Sequence, residues 1–254
     1  MSPGPDEDPS GSNPEPLVST GPSLSARVVA LLEVLLCSDY PTQLALGSTL
    51  MALGYTPNAA NGELQIGFVV TLSLVDTALL LGLIVFFLMA HGERPRDVFL
   101  GRRPAVSEVS FGLPLVLVAL AIGVVLLAAI QLLAPSLHTV GHNPLQDLIR
   151  SPRDIWWFAL IVVIAGGVRE ELQRAFLLHR FEHWLGGAKA GLVITSLSFG
   201  VGHLLQGADA AITTGTLGVF WGMVYLRRRS AIAPIVSHSG FNLLQIAQFL
   251  AIGR

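Results

Sequence analysis

Long apolar runs constrain this chain more than any other feature of its sequence. In the clearest run, residues 64–90, Asp76 is the only ionisable side chain. A membrane-spanning helix needs about 20 mostly apolar residues. Charged residues make up 13% of the chain, about half the share that is typical of soluble domains. The sequence therefore predicts an all-α, polytopic transmembrane protein.

The apolar runs predict a bundle of about six to eight helices. Residues 28–54 form the least regular candidate span, because Glu33, Asp39 and Pro41 interrupt them. That segment stays open as a first span, a broken helix or an interfacial segment. The other candidate spans cover residues 64–90, 111–134, 155–178, 190–205, 210–226 and 231–252.

Basic residues in the loops predict the orientation of the bundle. Arginines cluster at 94–103 and 227–229, and further basic residues follow the fourth segment. By the positive-inside rule these three connections face the cytoplasm. Residues 1–25 are rich in Pro, Ser and Gly, which predicts a disordered tail. We expect that tail to be cytoplasmic and to precede a transmembrane helical domain over residues 26–254.

Charge and cysteine content exclude some classes of protein. The formal net charge is −2, whereas a nucleic-acid-binding protein would need a clustered basic face. Cys37 is the only cysteine, so the chain forms no intramolecular disulfide and no cysteine-rich metal site. The expected partners are membrane lipids and a peptide or protein substrate, not nucleic acid.

Two adjacent glutamates, Glu170 and Glu171, lie inside the candidate span 155–178, at the end of its uninterrupted apolar part. Ionisable groups at membrane depth are costly and usually face a cavity. Arg174 lies four residues after the first and three after the second, and both spacings allow contact on a helix. A guanidinium can hold a carboxylate bidentately, while mutual repulsion lets one of two carboxyls keep a proton. Either state suits acid–base chemistry, and an ion pair at a charged helix end is the alternative.

Two later apolar runs carry histidines, His203 in the first and His238 in the second. Asn242 follows His238 by four residues and therefore lies on the same helix face. An imidazole and a carboxamide on one face can donate hydrogen bonds to a developing oxyanion. Polar residues that bridge two helices are the alternative for each taken singly. Together with the glutamates, they predict an active site in a membrane-embedded cavity.

Other polar residues in the runs have simpler explanations. Asp76 and Glu33 are intramembrane acids, and we expect each to pair within the bundle. His179 and His183 have the i, i+4 spacing of a helical metal site, but no glutamate follows the first histidine as in H-E-x-x-H. A solvated face at the cytoplasmic surface is the expectation for both.

The motifs resemble those of the CPBP family, the ABI or type II CAAX prenyl protease group of intramembrane proteases. Its pattern is a Glu-Glu pair followed by Arg, then Phe-x-x-x-His, then His-x-x-x-Asn on successive helices. Residues 155–250, the expected catalytic core, hold this pattern at Glu170–Glu171, at Phe199 with His203, and at His238 with Asn242. The arginine departs from it, because the family places three residues after the second Glu and here only two precede Arg174. Ala175 occupies the usual arginine position.

The resemblance implies roles for these residues. Glu170 with His203 would activate the attacking water, His238 and Asn242 would stabilise the oxyanion, and Glu171 would support them. Arg174 and Phe199 would have supporting roles. Zinc is a possible cofactor, held by Glu170, His203 and His238, because carboxylate and imidazole are ordinary zinc ligands. A glutamate can also act as general base without a metal.

The implied function is an intramembrane endopeptidase with its active site towards the cytoplasmic side. Its substrate would be a lipid-modified peptide, prenylated or not, or another membrane-associated segment. Two alternatives stay open: a proton-coupled transporter that uses the same buried groups, and a catalytically silent scaffold or immunity protein. A transporter of this kind would be expected to contain an internal repeat, and none is evident.

Overall fold

The computed structural model describes residues 21–141 and 143–252. Most of the predicted tail, residues 1–20, lies outside the described residues. The first helix begins at Leu24, inside the predicted tail boundary. Its N-cap is Ser23, whose hydroxyl accepts a hydrogen bond from the Ala26 backbone N–H.

The described residues are α-helical and contain no β-strand, only an isolated bridge between Asn58 and Leu64. The predicted all-α bundle is therefore confirmed. Its helices are α1 (Leu24–Leu36), α2 (Tyr40–Ala52), α3 (Ile66–Ala90), α4 (Pro95–Phe99), α5 (Ala105–Leu133), α6 (Pro152–Ile161), α7 (Glu170–Trp184), α8 (Ala188–Val201), α9 (Ala208–Arg228) and α10 (Ile232–Ile252).

Three helices among the described residues, α3, α5 and α10, are long and apolar enough to cross a membrane. Helices α1 and α2 meet the same test only as a pair, bent by 43° at the break between them. Of the three alternatives for residues 28–54, the structure therefore has the broken helix. The length and apolarity of these helices are those of an integral membrane protein.

The remaining predicted spans do not meet that test. Helix α8 has only 14 residues, and α9 carries Asp209 and several threonines, which reduce its apolar character. The predicted span at 155–178 is divided, because α6 and α7 are joined by a π-helical segment, Val162–Arg169. Among the described residues, the predicted spans 64–90, 111–134 and 231–252 are thus single helices that meet the test, and 28–54 meets it only as the bent pair.

The π-helical segment determines where the two glutamates lie. Its upstream helix α6 begins with a capping box, in which Ser151 and Asp154 each bind the other's backbone N–H. Helix α10 packs closely against the π-helical segment at Gly166 and Gly167. Such segments are uncommon and occur often at functional sites. Helix α7 starts with Glu170 at the end of this segment, next to α10.

The buried apolar core lies on the other side of α7. Phe176 and Leu178 of α7 pack with Leu80 and Ile84 of α3, and all four side chains are fully buried. The glutamates thus stand between a rigid apolar core and the helix that carries His238 and Asn242.

Candidate active site

Glu171 is the most enclosed member of the site. Its side chain is 1% exposed, and Arg174 donates to it from Nε at 3.2 Å and from Nη2 at 3.3 Å. His238 Nδ1 lies 2.9 Å from Glu171 Oε1. The predicted contact between Arg174 and the glutamate pair is confirmed, and it is made with Glu171.

Phe199 explains the position of the Arg174 guanidinium. The Arg174 Cζ atom lies 4.5 Å from the centre of the Phe199 ring, within the range of a cation–π contact. The same ring lies 4.8 Å from the His203 ring and 6.1 Å from the His238 ring. The two residues predicted to have supporting roles therefore contact each other behind the glutamates.

Glu170 is the glutamate that faces the cavity. Its Oε1 atom accepts a hydrogen bond from Arg169 Nη2 at 3.3 Å. Its Oε2 atom lies 3.8 Å from His238 Nε2. One carboxylate oxygen is therefore held by a cation, and the other is directed to the imidazole.

His238 lies between the two glutamates. Its ring stacks on Trp221 with centroids 3.8 Å apart and planes inclined by 17°. The Trp221 Nε1–H donates to Ser237 Oγ at 3.1 Å, which fixes the indole. If Glu171 is ionised, it can only accept, so the His238 Nδ1 atom carries a proton.

His203 comes from the turn between α8 and α9 rather than from a helix. Its Nδ1 atom lies 2.8 Å from the Phe199 carbonyl oxygen. A carbonyl can only accept, so Nδ1 carries the proton, and Nε2 of the neutral ring has a free lone pair. His203 lines the same cavity as Glu170, but its hydrogen bond goes to the backbone and not to that glutamate.

Asn242 lies one turn after His238 on α10 and also lines the cavity. Its amide nitrogen donates to the Val162 carbonyl at 3.2 Å. Val162 begins the π-helical segment, so this bond attaches α10 to the segment that directly precedes the glutamates.

The cavity that these side chains line has a volume of about 700 Å³. Its walls are mostly apolar and come from α3, α5, α6, α9 and α10. Four of the five residues predicted to be catalytic line it, namely Glu170, His203, His238 and Asn242, and Glu171 lies directly behind them.

The arrangement does not fit a resident zinc ion. Over residues 21–141 and 143–252, no three His, Cys, Asp or Glu side chains are grouped to hold a metal. Of the three suggested ligands, His238 and His203 each use Nδ1 in a hydrogen bond, so each could ligate only through Nε2, and His238 Nε2 lies 3.8 Å from Glu170 Oε2. The side chains of the site are therefore considered as the acid, the base and the hydrogen-bond donors of the reaction.

The sequence interpretation did not identify Arg169 as part of the site. This buried arginine binds Glu170, Asp76 and Asp39. The pairing expected for Asp76 is confirmed, since Asp76 Oδ2 lies 3.3 Å from Arg169 Nη1. The position of Arg169 directly before Glu170 was the sequence signal that could have identified it. Asp39 gave no such signal, because it appeared only as an interruption of an apolar run.

Glu33 pairs within the bundle as expected, whereas only one of the two histidines expected at a solvated face, His183, is exposed. Glu33 pairs with Arg180 at 2.5 Å and with His91 at 2.6 Å. His179 bonds Glu93 at 2.9 Å, and burial lowers the pKa of its imidazole despite this contact. His183 is exposed, so the i, i+4 histidine pair is part of a surface network.

The comparison with protein families agrees with the resemblance that the sequence motifs indicate. Residues 152–244 match the family model described as type II CAAX prenyl endopeptidase Rce1-like. This part of the chain, called the Rce1-like region below, is similar to that family. The match confirms the predicted resemblance, and the Rce1-like region contains both glutamates, both histidines and Asn242. It supports a CAAX-type intramembrane endopeptidase in general. The comparisons with curated proteins and with solved structures find no match.

Proposed function

We propose that this protein is an intramembrane endopeptidase in which Glu170 activates the attacking water. The observation that carries the proposal is the pair of restraints on Glu170, with Arg169 on one oxygen and His238 near the other. A carboxylate held in this way within a cavity is suited to general-base catalysis.

His203 would assist Glu170 by positioning the water. Its Nε2 lone pair belongs to a ring whose tautomer is fixed by the Phe199 carbonyl. Glu170 takes one proton of the water, the hydroxide oxygen bonds to the scissile carbonyl carbon, and the carbonyl oxygen becomes negative. On collapse, the C–N bond breaks and Glu170 returns the proton to the leaving amine.

His238 and Asn242 would stabilise the oxyanion. With Nδ1–H directed to Glu171, His238 donates from Nε2 only as an imidazolium. Carboxylate oxygens of Glu171 and Glu170 lie 2.9 Å from its Nδ1 and 3.8 Å from its Nε2, and its ring stacks on Trp221. Glu171 thus acts through His238 and Arg174 acts through Glu171.

We propose a membrane-associated peptide as the substrate, with a lipid-modified C-terminus as the first class to test. The cavity of about 700 Å³ has largely apolar walls, which suits a lipid chain or an apolar peptide segment. By the positive-inside rule, the basic loops favour a cytoplasmic N-terminus and an active site towards the cytoplasmic side.

The test compares five proteins in liposomes on a peptide library with and without prenylated cysteine. Glu170→Gln and His203→Ala are expected to lower kcat/KM by about 10²- to 10⁴-fold, the usual contribution of general acid–base catalysis. Glu63→Gln and His183→Ala are the matched controls, because both residues are exposed and neither lines the cavity. Mass spectrometry of the products gives the cleavage site.

Each outcome separates the hypotheses. Equal cleavage by wild type and Glu170→Gln would overturn the proposed mechanism. Complete inactivity of all five proteins would favour the silent scaffold. Proton movement across the liposome membrane that depends on Glu170 without cleavage would favour the transporter.

A further inference from the structure

Three carboxyl groups converge on the guanidinium of Arg169, which is 6% exposed. Its Nη1 atom contacts Asp39 Oδ1 and lies 3.3 Å from Asp76 Oδ2. Its Nη2 atom lies 3.3 Å from Glu170 Oε1, and its Nε–H donates to the Ala165 carbonyl at 3.3 Å. The two aspartates thus bind one nitrogen, and the other nitrogen is left for the glutamate.

Asp39 reaches this cluster because the first helix is broken. It lies between α1 and α2 with φ at +80°, a conformation that residues other than glycine seldom adopt. Its Oδ2 atom accepts a hydrogen bond from Gln43 Nε2 at 2.6 Å. Such backbone geometry persists where surrounding contacts hold it, and the ion pair with Arg169 is one of those contacts.

Charge balance makes Arg169 necessary to this side of the site. Glu171 has its own cation, Arg174. Glu170, Asp39 and Asp76 share Arg169, and His238 is the other cationic candidate near Glu170. Without Arg169 the buried carboxyl group of Asp76 and the partly buried ones of Asp39 and Glu170 would face one another, which is strongly unfavourable.

We infer that Arg169 is a positioning residue that fixes Glu170 for catalysis, and that Asp39 and Asp76 hold Arg169 in place. The inference rests on the proposed function of Glu170. Both aspartates lie outside the Rce1-like region, which begins at residue 152. The amino-terminal helices therefore complete an active site whose reacting groups all come from the carboxy-terminal part of the chain.

The test separates positioning from folding by neutralising Arg169 alone and then Arg169 together with both aspartates. Arg169→Gln is expected to lower kcat about 10- to 100-fold with KM within about twofold, since a misplaced reacting group costs rate rather than binding. It should also lower the Tm by about 5–15 °C, because the acids lose their cation. Adding Asp39→Asn and Asp76→Asn removes that imbalance, so the Tm should recover while kcat stays low.

Two further variants complete the set. Arg169→Lys keeps the charge and should recover part of the lost kcat. Arg153→Gln makes the same substitution at an exposed arginine of α6 and should match wild type in kcat, KM and Tm.

Recovery of kcat together with Tm in the neutralised variant would overturn the inference and leave Arg169 a structural residue. A raised KM with unchanged kcat in Arg169→Gln would overturn it too, in favour of substrate binding. Failure of the two asparagines to restore the Tm would refute the anchoring role without any activity measurement. Failure of the proposed function is seen separately, as a Glu170→Gln variant that cleaves like wild type.

Discussion

Arg174 lies one residue before the arginine position of the family pattern, and the structure shows how it still serves the glutamates. Residues three apart on a helix are neighbours, so Arg174 reaches Glu171 with two hydrogen bonds. Ala175, at the usual position, is fully buried in the apolar core formed with α3. An arginine at 175 would lie among apolar side chains, so the shift by one residue is what keeps the ion pair.

Arg174→Ala should therefore destabilise the protein. It leaves Glu171 buried without a cation, and breaking a buried pair on one side costs about 3–5 kcal/mol. We expect a lower Tm in detergent and a lower kcat/KM, because Glu171 can no longer hold His238 in one orientation. Arg227→Ala, at an exposed arginine, is the control. Equal Tm values for the two variants would contradict this account of Arg174.

Contacts between near neighbours in sequence were predictable at the residue scale, and distant ones were not. The spacing of Glu171 and Arg174 gave their contact directly, because helix geometry relates positions three apart. Asp39 and Asp76 meet Arg169 only through the packing of α1 and α3 against α7, of α3 against the π-helical segment and of α2 against α3. No local pattern in the sequence encodes that packing.

At the scale of elements, the π-helical segment and α10 approach so closely that there is no room for a β-carbon at Gly166 or Gly167. A methyl group on Gly167 would overlap Ser239 Oγ and lie 3.1 Å from Ser239 Cβ. One on Gly166 would lie 2.8 Å from Asn242 Nδ2. These two glycines thus allow the distance at which Asn242 bonds the Val162 carbonyl.

Gly167→Ala should push α10 away from the glutamates. Forcing a methyl group into a tight helix contact costs about 1–3 kcal/mol, and the same displacement should lower kcat by moving His238 and Asn242. Gly82→Ala is the matched control, because that glycine of α3 is exposed and has open space around it. Alanine there should leave the Tm unchanged or raise it slightly. Equal effects of the two substitutions on Tm and kcat would rule out the close approach as their cause.

At the scale of the whole molecule, run length predicted the helical bundle but not the number of its uninterrupted spans. A run of apolar residues indicates burial in lipid or protein without distinguishing a straight helix from a broken one. The turn at His203 breaks a run that appears continuous in composition, and the break at Asp39 falls in a run whose form the sequence left open. Both interruptions bring polar side chains to the site, which is why an apolarity pattern alone misses them.

Orientation in the membrane can be tested with single cysteines, because the natural Cys37 is fully buried. Arg102→Cys and Ser136→Cys place a thiol in exposed loops at the opposite ends of α5. By the positive-inside rule, a membrane-impermeant maleimide added to intact cells should label position 136 and not 102. Wild type should stay unlabelled, and permeabilised cells should label both. The reverse pattern would invert the proposed topology.

The π-helical segment also determines which face of α7 points towards α10. Each residue of an α-helix turns the chain by about 100°. The residues of the π-helical segment are wound more loosely than those of an α-helix, with i→i+5 hydrogen bonds, so each turns the chain by less. Winding the same eight residues, Val162–Arg169, as regular α-helix would therefore turn the face of α7 relative to α6. Glu170 and Glu171 would then point away from His238, although no site residue had been replaced. The winding of the π-helical segment is therefore as necessary to the proposed active site as the side chains that follow it.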